Sequence, residues 1–72
     1  MHEIQISTEY IKLDQFLKFS GISYDGAEAK DIIKNGIVSV NGEIELRRGR
    51  KLYKDYIIEI DTGDEIISLK VV

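Results

Sequence analysis

Two Asn-Gly dipeptides six residues apart, Asn35-Gly36 and Asn41-Gly42, constrain this chain more than any other feature. Asparagine and glycine enter left-handed backbone at the least steric cost, so each pair ends the element before it. Ahead of the first lies KDIIK, spaced as a helix; between the two lies only IVSV, which alternates. After the second, EIEL alternates again. A helix must therefore stop at Gly36, one short strand must fit before Asn41, and a return strand must follow Gly42.

Register predicts the length of that turn. A two-residue turn would set Val40 opposite Glu43 and Val38 opposite Glu45, acids against apolar core positions. One further loop residue pairs Val40 with Ile44 and Val38 with Leu46, apolar throughout. A three-residue, bulged turn is expected, because a slip of one residue moves every side chain to the other face.

The helix before Gly36 has its own start signal. Asp25 can cap the first turn, and Glu28 three positions on completes a capping box, with Ala29, Ile32 and Ile33 as the buried face. An earlier helix, KLDQFLKFSG, puts Leu13, Phe16, Leu17 and Ser20 on one face and ends at Gly21. EIQIS near the N-terminus, YIIEI at 56–60 and IISLKVV at 66–72 read as strands, the last two joined by a turn at 61–64. The expected order is β-α-α-β-β-β-β, an α+β fold with two helices packed on a small, mostly antiparallel sheet.

At 72 residues the chain is expected to form a single domain, residues 1–72, with no internal repeat and no linker. A chain of this size buries only about 60% of its unfolded surface, so its core is small. It has no cysteine, which excludes a disulfide, a thiol nucleophile and a Cys-based metal site, and suits a reducing compartment. MHEIQISTEY has neither a basic n-region nor an apolar h-region, and no apolar run is long enough for a membrane span. A cytoplasmic globular monomer without a cofactor is expected.

Charge is distributed unevenly. Residues 1–46 carry a net of −4 and residues 55–72 another −4, whereas Arg47, Arg48, Arg50, Lys51 and Lys54 fall within eight residues that hold no acid. Such a cluster is expected to escape local neutralisation and to form a cationic patch on an acidic body. Catalysis finds little support. His2 is the only histidine and sits at the terminus, no Gly-rich phosphate loop occurs, and Glu43 and Glu45 read as a solvated strand edge. The basic stretch has more to offer. Three of its cations are Arg, whose planar fork suits phosphate, and Gly49 between the pairs lets the backbone bend. Tyr53 beside them can stack on a base, although packing against the sheet would explain it equally well. Nucleic-acid phosphate is the ligand such a patch fits best.

The order of motifs, KLDQFLKFSGI followed by GAEAKDIIKNGIVSVNG, resembles the RNA-binding domain named after small-subunit ribosomal protein S-four. Lys12, Leu13 and Asp14 match its Arg-Leu-Asp helix start, Ala29 the alanine of its second helix, and Gly36, Val38, Val40, Asn41 and Gly42 its Gly-x-Val-x-Val-Asn-Gly entry to a hairpin. The following RRGRKL is similar to small stand-alone bacterial members of the YaaA type, and the likeness spans about residues 10–60. Asp25 and Gly26 replace the usual Ser-Arg, Glu43 stands where Lys is common, and Lys54, Asp55 and Tyr56 replace a Pro-Gly-Asp turn. The resemblance implies a non-enzymatic domain that binds structured RNA on the face formed by its two helices and first hairpin. Ribosomal RNA or a ribosome assembly intermediate is the implied target, with transfer RNA as an alternative.

On this reading Arg47, Arg48, Arg50 and Lys51 neutralise phosphates, Lys12 and Lys30 extend the surface, and Gln15 or Asn41 contacts sugar or base edges. No catalytic or metal-binding residue is assigned. The rival reading is a protein-interaction module whose basic patch docks an acidic partner.

Overall fold

The alternating segments assemble around one apolar face, and the two amphipathic segments cover it. The computed structural model describes residues 1–72. In order the elements are β1 (His2–Ile4), β2 (Ile11–Lys12), α1 (Leu13–Phe19), α2 (Gly26–Lys34), β3 (Val38–Val40), β4 (Glu43–Ile44), β5 (Lys51–Leu52), β6 (Ile57–Asp61) and β7 (Ile66–Val71). The expected α+β class and element order hold, with β2 and β5 as two-residue additions. Five strands form one sheet in the order β1-β7-β6-β3-β4, antiparallel except for the β1–β7 pair. A separate ribbon pairs β2 with β5.

Alternation sends every second residue of the central strands inward. Cross-strand rows run Val40–Ile58–Leu69 and Val38–Ile60–Ile67. Leu13, Phe16, Leu17, Ala29 and Ile33 from the helices pack on them, all fully buried. Each large side chain of this kind contributes about 1.5–3 kcal/mol by leaving water.

The helices start in different ways. At α2 the Asp25 carboxylate accepts from the Glu28 N–H at 2.8 Å, as expected, while Glu28 reaches back to the Tyr24 N–H at 2.9 Å rather than to Asp25. Gly36 stops the helix at φ +74°. At α1 the N-cap position is Lys12, which provides no side-chain cap. Instead the Leu13 and Asp14 N–H groups donate to the carbonyls of Arg50 (2.8 Å) and Arg48 (3.0 Å). The backbone of the basic segment caps the first helix.

The hairpin corrects the expected register. Asn41 (φ +52°) and Gly42 (φ +88°) are both left-handed, Val40 faces Glu43, and Ser39 faces Ile44. This is a two-residue turn of the primed type, whose twist matches its strands, and not the three-residue bulged turn. The Glu45 N–H donates to the Val38 carbonyl at 2.9 Å, so Glu45 takes the inward position and is only 7% exposed. Ile44 and Leu46, the expected core partners, are 66% and 59% exposed. The apolar pairing argument assumed that a carboxylate at this position would go uncompensated. It does not.

Candidate nucleic-acid interface

What compensates Glu45 is the basic segment itself. One of its oxygens accepts from the Arg47 N–H and Nε, both at 3.0 Å; the other accepts from Arg47 Nη2 at 3.0 Å and Arg50 Nη1 at 2.8 Å. The Arg47 hydrogen bond, aided by Arg50, holds the Glu45 carboxyl down at about 2, against 4.5 for an ordinary glutamate, although burial pushes the other way. Both guanidinium pKa values are raised in return. A second buried carboxylate, Asp14 at 6% exposure, accepts from the Gln15 N–H at 2.8 Å and from Arg48 Nε at 3.2 Å.

The expectation of a cluster without local neutralisation is therefore corrected for the arginines: each is held by a carboxylate. The acids lie just before the cluster and on α1, outside the eight residues that lack them. Anchoring leaves donors to spare. Arg47 commits Nε and Nη2 and keeps Nη1, and Arg48 commits only Nε. A guanidinium fixed along one edge presents the other in a defined direction, which suits phosphate recognition.

The lysines have no such anchors. Lys12 and Lys51 are direct cross-strand partners in the β2–β5 ribbon, and both are exposed. Like charges placed opposite each other destabilise a strand pair unless an anion lies between or near them. Lys51 Nζ also stands 4.7 Å from the centroid of the Tyr10 ring. Lys12, Arg48 and Lys51 thus gather at the start of α1, with Arg47 and Arg50 carried by the same loop. Gly49 lies in a turn closed by the Arg50 N–H and the Arg47 carbonyl at 3.3 Å, without a left-handed φ.

The other expected site residues are placed differently. Gln15 is exposed in the first turn of α1, beside Asp14. Lys30 is half-buried on α2, and no hydrogen bond or ion pair ties it to the basic loop. Asn41 accepts from the Ile57 N–H through its side-chain oxygen at 2.9 Å and donates its own N–H to the Ile57 carbonyl at 2.8 Å, pinning the hairpin to β6. Sequence reasoning missed Glu45 and Asp14 as organisers of the loop. The signal for Glu45 was available: an acid followed by arginines at the second and fifth positions after it.

No helix is long and apolar enough to cross a membrane. Comparison with known proteins agrees with the motifs and extends them. The family model described as S4 domain matches residues 4–68, beyond both ends of the motif-bearing stretch. A Bacillus subtilis (strain 168) protein named "Probable ribosome maturation protein RlbA" is 45% identical over 58 residues, covering 81% of this chain and 82% of that protein. With the family model spanning nearly all of the sheet and both helices, the chain belongs to the S4 domain family.

Proposed function

We propose that this protein is a non-enzymatic, cytoplasmic RNA-binding domain that acts on structured RNA, either ribosomal RNA or a ribosome assembly intermediate. One observation carries the reading. Five cations, Lys12, Arg47, Arg48, Arg50 and Lys51, converge on the start of α1, where only Glu45 and Asp14 are paired with them. The surplus includes two lysines facing each other, an arrangement that costs stability in the free protein and is relieved by a polyanion. Membership of the S4 domain family and the similarity to a protein named for ribosome maturation support the same assignment. Arg47, Arg48, Arg50 and Lys51 meet phosphates, Lys12 extends the track along α1, and Gln15 is placed to reach a sugar or base edge. Lys30 and Asn41 contribute less, the second because its side-chain oxygen is already committed.

The test is equilibrium binding of the protein to a structured ribosomal RNA fragment across a salt series. If about four cations meet phosphates, log affinity falls against log salt with a slope of roughly −3 to −4. Absence of binding at low salt, or affinity that does not respond to salt, would overturn the assignment.

A further inference from the structure

Beside the phosphate-binding cations lies a group of aromatic rings that phosphate contact does not explain. Tyr10 and Tyr53 have ring centroids 6.0 Å apart at 47°, and Tyr53 and Tyr56 stand 5.7 Å apart, edge to face at 63°. Arg50 Cζ is 5.9 Å from the Tyr56 centroid, and Lys51 Nζ covers Tyr10. Arg47, Gly49, Arg50, Lys51, Tyr53 and Tyr56 together line one depression in the surface. Packing accounts for Tyr56, which is half-buried against the core. Tyr53 packs against both of the other rings, yet it keeps 37% of its surface exposed and lies outside the core cluster.

We infer that this depression is a base-stacking subsite, in which Tyr53 receives one unpaired nucleobase while Arg50 and Lys51 hold the phosphates on either side of it. Aromatic rings bordered by cations are what proteins use to hold splayed-out nucleotides, and stacking tolerates any base because each has a π-face. Bases inside an A-form helix cannot reach such a ring, since their faces are already stacked. The ligand class is therefore a structured RNA carrying a bulged, looped-out or terminal nucleotide next to its helix. This rests on the RNA-binding assignment and narrows its ligand.

The test uses three synthetic RNA hairpins: fully paired, the same stem with one unpaired nucleotide, and that stem with an abasic site in place of the unpaired base. The full-length chain should bind the bulged hairpin about tenfold more tightly than the other two. Tyr53→Ala should bring the bulged hairpin to the same affinity as the paired and abasic ones, and Tyr53→Phe should retain the preference. If Tyr53→Ala does not fold, Gly49→Leu replaces it. A Cβ at Gly49 meets nothing within 4 Å and its φ is not left-handed, so the chain accommodates a side chain on the wall of the depression. That variant should also lose the preference. Equal affinity for all three hairpins, or a preference that neither variant moves, overturns the subsite and leaves the RNA-binding assignment standing. Failure to bind any hairpin at low salt overturns both.

Discussion

The residue on which the interface turns is an acid. Glu45 is buried at 7% exposure and takes hydrogen bonds from three side-chain N–H groups and one backbone N–H, fixing Arg47 and Arg50 in one place. Sequence reasoning rejected the two-residue turn because it would bury this carboxylate opposite Val38. That objection fails because the compensating arginines come from an irregular loop, where no periodicity signals contact. The held ion pair gives stability a specific pH dependence. The folded-state carboxyl titrates at about 2 and an unperturbed one at 4.5, so the folded state binds the proton more weakly. The contribution is complete above about pH 4.5 and is lost as pH falls toward about 2. Urea unfolding over that range should show declining stability in the parent protein and a visibly shallower decline in Glu45→Gln. Parallel profiles for the two would assign the acid sensitivity to other carboxylates.

At the level of elements, periodicity revealed both helices and the five strands of the main sheet. It could not reveal the β2–β5 ribbon, because two residues per strand is too short for alternation to register. Nor could it reveal how α1 begins. The N–H groups of Leu13 and Asp14 are satisfied by carbonyls of Arg50 and Arg48, more than thirty residues downstream, and Lys12 has no capping chemistry of its own. The hairpin is the opposite case, since its turn residues were legible and only its register was misjudged. Asn41 and Gly42 both occupy left-handed backbone, and the Asn41 side chain also ties β6 to the turn. Asn41→Ala should cost about 1–2 kcal/mol, combining a lost hydrogen bond with left-handed strain. Gly42→Ala should cost about 1 kcal/mol or more from strain alone. Chemical denaturation checks both, and RNA affinity measured on the folded fraction should barely change for Asn41→Ala. A folded Asn41→Ala protein with sharply weakened binding would give Asn41 a direct place at the ligand.

Across the whole molecule, stability and the proposed binding make opposing demands on the same charges. On the proposed function the three arginines would serve both, since each is paired with a buried carboxylate and Arg47 and Arg48 keep donors to spare. Lys12 and Lys51 have no carboxylate partner, and the proposed function assigns them to binding. They oppose each other across the β2–β5 ribbon, although 39 positions separate them in the sequence, so only the fold shows that they stand together. Removing the arginines would mix two effects, because Asp14 and Glu45 would lose their partners as binding was lost. The lysines separate them. Lys12→Ala with Lys51→Ala removes a like-charge pair worth roughly 0.2–1 kcal/mol of repulsion, offset in part by loss of the Lys51 contact with Tyr10. Unfolding stability should stay within about 0.5 kcal/mol of the parent or rise. Affinity for a structured ribosomal RNA fragment should nevertheless fall about tenfold, on the order of 1.4 kcal/mol, and the salt slope should become shallower by roughly 2. The control is Lys34→Ala with Lys70→Ala, which removes the same formal charge from an exposed position on α2 and from the strand residue paired with Asp55 at 3.8 Å. Equal losses of affinity in the two double variants would mean that net charge alone governs binding. A preserved fold with binding lost only in the Lys12 and Lys51 pair places the phosphate track at the start of α1.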